Sequence, residues 1–196
     1  MNDKSKEEIV LFARILTIFC VTIGCLFTAG LQSSQAVKYS NGQTAKAGDV
    51  LISKKSLDNY FVGHAAIVGG DGATAVEVYK GRSTVKSSRL SDWFKKQDRG
   101  YNVMRYKSSS IASGAGYWAS YNVGAKYNYR IVSSSALRDW KDLYCSKFVY
   151  QAFYFSGGVK LKILGDQGVM WEYPPTSNWV INPNLMIVME DFTRIK

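Results

Sequence analysis

Short apolar runs separated by turns dominate the middle of the chain. Val50 to Ser53, Gly63 to Val68 and Thr74 to Tyr79 have the length and composition of strands. The glycine-rich turn Gly69-Gly70-Asp71-Gly72 separates the second run from the third, which predicts an antiparallel hairpin. The alternation from Tyr101 to Tyr106 predicts another strand.

Helical patterns alternate with these strands and follow them. A short helix is predicted around Trp93-Phe94, and a longer one over the small and aromatic residues from Ile111 to Val123. A third helix is predicted to carry Cys145 in its first turn, with Asp142 as its N-cap and Gly157-Gly158 at its end. Its apolar face comprises Phe148, Val149, Ala152 and Phe153.

The last apolar run, Leu185 to Met189, predicts a C-terminal strand. Strands come first, then the cysteine helix, then a strand. This order favours an α+β fold in which an antiparallel sheet packs against the helix that carries Cys145.

The N-terminal segment has a different character. No charged residue occurs from Ile15 to Leu31, and Ser34-Gln35-Ala36 supplies the small residues that a signal peptidase recognises. Residues 1–36 are therefore predicted to be a secretory signal peptide, with an uncleaved membrane anchor as the alternative. Residues 37–196 then form a single domain, and the protein is predicted to be secreted or held at the cell surface.

The chain is strongly basic, with 25 Lys and Arg against 15 Asp and Glu, a formal net charge of +10. Scattered surface charge of this kind keeps a secreted protein soluble. It also suits an anionic cell-surface polymer as a partner. No aromatic and basic residues interleave at nucleic-acid spacing, so no nucleic-acid partner is predicted.

One histidine and one cysteine carry the candidate chemistry. His64 is the only histidine of the 196 residues, and Cys145 is the only cysteine outside the apolar N-terminal run that holds Cys20 and Cys25. A thiol needs a neighbouring base to ionise at neutral pH, and a helix N-terminus stabilises a thiolate. A satisfied core histidine and an inert buried thiol are the structural alternatives.

Glu77 interrupts the apolar strand between Val76 and Val78, next to the predicted His64 strand. A carboxylate in this position either pairs with the His64 ring or points to a solvent-exposed face of the sheet. Alternation along the strand permits both.

The segments around His64, Glu77 and Cys145 resemble the circularly permuted NlpC-like papain superfamily, and within it the YiiX/YaeF/YycO-type branch. As in that branch, the histidine strand precedes the cysteine helix. The resemblance extends to Gly48-Asp49-Val50-Leu51 and to a late proline-containing segment before the last strand.

The resemblance implies Cys145 as nucleophile, His64 as base and Glu77 as the residue that orients the base. It also implies Tyr127, within Lys126-Tyr127-Asn128-Tyr129, as an oxyanion or substrate contact. Asn128 departs from the family pattern, where aspartate is common, and so does Lys147, where glutamate is frequent. The family implies no organic cofactor and no metal.

These observations predict a secreted cysteine amidase or peptidase that acts on cell-wall peptide or another amide or ester. A lipid acyltransferase or esterase on the same fold is the alternative enzyme, since an aromatic groove of Trp118, Tyr121, Trp171 and Tyr173 would suit acyl chains equally well. A non-catalytic secreted binding module is the alternative of another class, and it predicts an unreactive Cys145.

Overall fold

A six-stranded antiparallel sheet forms the centre of the protein. Its strands, in order across the sheet, are Phe192–Arg194, Tyr101–Tyr106, Val50–Ser53, His64–Val68, Thr74–Glu77 and Lys86–Arg89. The computed structural model describes residues 36–54, 63–97, 100–131, 135–140, 142–164 and 170–196. The predicted signal peptide, with Cys20 and Cys25, lies outside the described residues apart from Ala36. No helix within the described ranges is long and apolar enough to cross a membrane.

The sheet strands are β1 (Val50–Ser53), β2 (His64–Val68), β3 (Thr74–Glu77), β4 (Lys86–Arg89), β5 (Tyr101–Tyr106) and β10 (Phe192–Arg194). Three helices accompany them in the described ranges: α1 (Leu90–Lys95), α2 (Ser109–Tyr121) and α3 (Cys145–Gly157). Two small sheets pair β6 (Asn128–Tyr129) with β7 (Asp142–Leu143), and β8 (Lys162–Leu164) with β9 (Met170–Glu172). The predicted α+β fold is confirmed at this level.

Both faces of the central sheet are covered. Val50, Ile52 and Ile67 belong to the larger core, which also contains residues of α2 and α3. Leu51 and Ala66, which alternate with them, pack in a second core with Leu90 and Trp93 of α1 and with Tyr39. Because both faces are buried there, the central strands β1 and β2 are apolar in nearly every position rather than in every second one.

Helix α2 packs closely against the sheet where two glycines, Gly116 in the helix and Gly48 before β1, leave room for the backbones to approach. A Cβ on Gly116 would come within 2.7 Å of the Gly48 nitrogen and 2.8 Å of the Val68 carbonyl oxygen. Gly48 has φ +81° and its added Cβ would overlap the Ala112 carbonyl. The absence of both side chains therefore allows α2 to approach β1 and β2 closely.

A buried ion pair joins the segment before β1 to β5. Asp49 has no exposed surface, and its carboxylate accepts hydrogen bonds from Arg105 Nε at 2.8 Å and Nη2 at 2.7 Å. The Tyr39 hydroxyl and the Lys46 backbone N–H donate to the same carboxylate. The Asp49 carboxylate thus accepts two bonds from Arg105 and two further hydrogen bonds, and these anchor the start of β1.

The predicted C-terminal strand over Leu185 to Met189 is wrong. The Asn182 side chain accepts from the Asn184 backbone N–H at 2.9 Å, Pro183 follows it, and a 3-10 helix spans Pro183–Val188. A capped turn with proline in its first position starts a helix in spite of the apolar run. The edge strand beside β5 is β10 instead.

Gly48→Ala should destabilise the fold much more than Gly81→Ala. Both glycines have a positive φ, +81° and +80°, but a Cβ on Gly81 has nothing within 4 Å. We expect Gly81→Ala to cost about 1–2 kcal/mol for the left-handed backbone alone. Gly48→Ala should cost roughly 1–3 kcal/mol more because of the overlap with α2. Urea unfolding of both variants measures the difference, and equal midpoints would contradict this account of the packing.

Candidate active site

Cys145 is the first residue of α3, and no side chain caps the helix. Tyr144 is the N-cap, with an extended backbone and no side-chain cap bond. The predicted N-cap, Asp142, is wrong: it lies in β7 and accepts a hydrogen bond from Asn128 Nδ2 at 3.0 Å. The helix N-terminus therefore remains available to stabilise negative charge on the Cys145 sulfur.

His64 stands between Cys145 and Glu77. Its Nε2 lies 2.8 Å from Glu77 Oε2, and its ring also hydrogen-bonds the Cys145 thiol. Because Nε2 is engaged by Glu77, the ring presents Nδ1 to the sulfur. The structure thus brings together the three residues expected from the sequence, with His64 5% and Cys145 7% exposed.

The hairpin register explains this arrangement. Ala66 pairs with Glu77 across β2 and β3, so His64, two residues earlier in β2, lies diagonally opposite on the same face. Glu77 does point away from Val76 and Val78, as alternation requires. That face is covered by α1 instead of being open to solvent, and the Glu77 side chain is only 12% exposed.

The pair of Cys145 and His64 favours its charged form. Burial by itself raises the pKa of the Cys145 thiol. The hydrogen bond and charge of His64, together with the backbone N–H groups of Ala65 and Ser146, outweigh burial and bring the pKa below its ordinary value. Burial lowers the pKa of His64, but its hydrogen bonds to Cys145 and Glu77 raise it well above the ordinary value. Both shifts favour a thiolate beside an imidazolium.

Trp93 makes a contact with Glu77 that the sequence did not indicate. Its indole Nε1–H donates to Glu77 Oε2 at 3.1 Å, so the same oxygen accepts from both His64 and Trp93. Trp93 is 1% exposed and belongs to α1. Nothing in its short polar helix distinguishes it from an ordinary core tryptophan. The two donors together hold the Glu77 carboxylate in place.

Tyr127 has a different contact from the one expected. Its hydroxyl donates to the Tyr79 carbonyl oxygen at 2.9 Å and accepts from the Tyr79 backbone N–H at 3.1 Å. These bonds replace strand pairing beyond Glu77, which explains why β3 ends two residues before the predicted end at Tyr79. Tyr79 in turn sets its ring edge-on to His64, with centroids 6.5 Å apart. Tyr127 therefore supports the site through Tyr79.

The residues on either side of Cys145 bind one neighbouring segment. The Tyr144 hydroxyl accepts from the Ile181 backbone N–H at 3.1 Å, and the Ser146 hydroxyl donates to the Ile181 carbonyl at 2.5 Å. Lys147, whose pKa burial lowers, donates from Nζ to Ser135 at 2.9 Å. These bonds fix the position of the first turn of α3.

Three of the four residues of the predicted aromatic groove lie in two separate ring clusters. Trp118 packs with Trp140, Phe148 and Phe155. Trp171 and Tyr173 both contact Trp179. Tyr121 is 89% exposed. No ring contact among the described residues joins the two clusters.

A cavity of about 320 Å³ opens on the Glu77 side of the imidazole. Its lining consists of Ser53, His64, Glu77, Tyr79, Trp93, Lys96 and Gln97.

Comparison with known proteins supports the fold. No family model matches the sequence. A protein of Bacillus thuringiensis described as an uncharacterized 30.3 kDa protein is 28% identical over 147 residues, which cover 67% of this chain and 52% of that protein. The chain thus spans about half the length of the curated relative it matches.

The crystal structure of yiiX from Escherichia coli O157:H7 superposes with a TM-score of 0.52 at 16% sequence identity. The match covers 77% of this chain and 96% of that one. The chain therefore has a YiiX-like fold, which supports the YiiX-type branch of the resemblance.

The same comparison corrects the prediction that excluded a metal. The yiiX protein is described as a metalloprotein, so this fold is compatible with a metal and the exclusion was wrong. In this chain, no group of three or more His, Cys, Asp or Glu within the described ranges is arranged to hold an ion. The thiol and the Glu77 carboxylate bind opposite nitrogens of the His64 ring, so the three do not converge on one point. The donors described here do not fit a metal centre.

Cys145 should react with iodoacetamide at pH 6–7 faster than a free thiol with a pKa of about 8.5. The rate should be higher because the pKa of Cys145 is lowered, so that its thiolate persists at pH values where an ordinary thiol is already protonated. His64→Ala removes the largest of the stabilising contacts and should return the rate toward that of a free thiol. Rates measured by mass spectrometry from pH 5 to 9 test this. A profile unchanged by His64→Ala would show that the two residues are not coupled.

Tyr127→Phe should lower stability without changing thiol reactivity. It leaves the Tyr79 N–H and C=O without their hydroxyl partner, at a cost of about 1–3 kcal/mol. Because the hydroxyl is committed to Tyr79, we expect the alkylation rate of Cys145 in the folded protein to stay within about twofold, a change of under 0.5 kcal/mol. Chemical unfolding and alkylation are measured on the same samples. Normal stability with a large loss of turnover would instead favour the oxyanion role.

Proposed function

We propose that the protein is a cysteine hydrolase that cleaves an amide or ester bond through an acyl-enzyme on Cys145. The observation that carries the proposal is the His64 ring, hydrogen-bonded to Glu77 on one side and to the Cys145 thiol on the other. The lowered pKa of Cys145 supplies a nucleophile at neutral pH. The order of histidine strand before cysteine helix supports a permuted papain-like arrangement.

In the first step the Cys145 thiolate attacks the substrate carbonyl carbon, and a carbon–sulfur bond forms as the carbonyl becomes an oxyanion. Backbone N–H groups in the uncapped first turn of α3 are suited to stabilise that oxyanion. The imidazolium of His64 gives its proton to the leaving nitrogen or oxygen as the scissile bond breaks. The acyl group remains on sulfur as a thioester.

In the second step water attacks the thioester while His64, now neutral, accepts a proton from it. The carbon–sulfur bond breaks, the acid leaves, and the thiolate and imidazolium are restored. Glu77 makes no bond to substrate in this scheme. It stabilises the imidazolium and, with Trp93 as its second donor, fixes the orientation of the ring.

Cell-wall peptide is the amide substrate that we propose to test first, because the sequence predicts export of the domain. The candidate alternative is an acyl ester of a lipid. It is favoured by the exposed side chains of Trp171 and Trp179, 52% and 45% exposed, with ring centroids 6.4 Å apart. The Trp179 carbonyl accepts from the hydroxyl of Tyr144, the residue before Cys145. Incubation with purified sacculi and with acyl lipids, followed by mass spectrometry of products, separates the two.

Cys145→Ala should abolish turnover of any identified substrate while preserving the fold, because it removes the only atom able to form the acyl-enzyme. Glu77→Gln should be milder, with a loss on the order of 10–10³ in kcat. The Cys145 thiolate and the His64 imidazolium stabilise each other, so the pair can still form without the Glu77 charge. Steady-state kinetics and unfolding curves of both variants are the measurements. Near-wild-type turnover by Cys145→Ala would rule out the proposed mechanism.

A further inference from the structure

Trp93 is itself rigidly held. Its ring stands edge-on to the Tyr101 ring, with centroids 5.6 Å apart, and the residue is almost fully buried. Its backbone carbonyl accepts from Gln97 Nε2 at 3.1 Å, and the Ser53 hydroxyl in turn donates to Gln97 Oε1. Packing and hydrogen bonds of this kind restrict a side chain to one rotamer. The indole N–H therefore has a fixed direction, toward Glu77.

Glu77, in contrast, has space beside it. It lines the cavity of about 320 Å³ on its side of the imidazole, and its side chain is 12% exposed. Two exposed lysines lie nearby: Lys86 is the direct cross-strand neighbour of Glu77, and Lys96 lines the same cavity. A carboxylate that turned toward these cations would leave the His64 ring.

An indole is well suited to hold this carboxylate. Its N–H is a donor only and carries no charge, so it neither takes the proton of the imidazolium nor titrates with it. Trp93 donates to Oε2 of Glu77, the oxygen that also lies 2.8 Å from His64 Nε2. The two donors come from α1 and β2 and hold the carboxylate between them. The remaining polar neighbours are Tyr79 in the cavity wall and Cys145 across the imidazole.

We propose that Trp93 is a positioning residue for catalysis: its indole N–H keeps the Glu77 carboxylate on the His64 ring and out of the neighbouring cavity. This role rests on the proposed function, in which the imidazolium gives its proton to the leaving group. Without the indole bond, Glu77 has lost one of its two donors and turns toward the cavity for part of the time. The imidazolium is then less stabilised.

The test replaces Trp93 by 3-benzothienylalanine, which keeps the fused ring and has sulfur in place of the N–H. His64 is the only histidine of the chain, so labelled histidine gives NMR signals from one ring alone. Titration of the full chain then measures the acid dissociation constant of the imidazolium. We expect this constant to rise about 3- to 10-fold, less than for loss of a whole hydrogen bond to a charge, because His64 still donates to Glu77. The imidazolium should thus lose its proton at lower pH.

Trp140 provides the matched control. Its indole N–H also donates a hydrogen bond, at 2.7 Å, but to the Lys126 carbonyl. The same replacement at Trp140 should leave the His64 titration unchanged. In Glu77→Ala, which removes the shared acceptor, replacement of Trp93 should have no further effect on the titration, whereas an effect through packing would persist.

The direction of the shift distinguishes two roles of the indole. If the N–H only withdrew negative charge from Glu77, its loss would strengthen the bond to His64, and the ring would titrate at higher pH. A shift to higher pH, no shift, or an equal shift on replacement of Trp140 would overturn the proposal.

The titration needs no substrate, so it separates this role of Trp93 from the proposed function. Absence of the shift in a chain that hydrolyses an amide or ester would refute the role of Trp93 alone. The expected shift in a chain without turnover would refute the proposed function and leave only the coupling of Trp93, Glu77 and His64.

Discussion

Burial of the central sheet on both of its faces is the constraint from which the site follows. One face packs in the core with α2 and α3, and the other packs with Tyr39 and with Leu90 and Trp93 of α1. A carboxylate on the second face must therefore find donors, because an unpaired buried charge is costly. Glu77 finds them in the His64 ring and the Trp93 indole. The buried acid, the ring and the short helix are parts of one arrangement.

This arrangement favours the thiolate form of Cys145. The imidazole lies between a carboxylate and a sulfur at a helix N-terminus, and each neighbour stabilises its protonated form. The same imidazolium stabilises the thiolate, so both shifts in pKa have one cause, although burial opposes each of them. The imidazolium thus favours the ionised form of a thiol that is only 7% exposed.

Hydrogen bonds from outside the sheet hold the two halves of the site in place. Tyr144 and Ser146 bind Ile181 and fix the cysteine side, whereas Tyr127 binds Tyr79 and fixes the end of the strand that carries Glu77. The yiiX structure shares the fold at 16% identity and is described as a metalloprotein. In this chain the thiol and the carboxylate lie on opposite sides of the imidazole. The shared fold therefore does not determine the chemistry of the site, which depends on the side chains that each chain places there.

The sequence by itself determined the order and type of most elements, since apolar runs of strand length and an amphipathic segment ending in Gly157-Gly158 are local patterns. It also singled out His64 and Cys145, because no other such pair exists outside the N-terminal run. The apolar run from Leu185 to Met189 predicted a strand, but the Asn182 cap and Pro183 start a 3-10 helix there instead. Only the tertiary structure decided that α1 covers the face of Glu77 and that Tyr127 bonds Tyr79. Alternation along a strand says which side a residue occupies, but what covers that side depends on contacts between residues far apart in the chain.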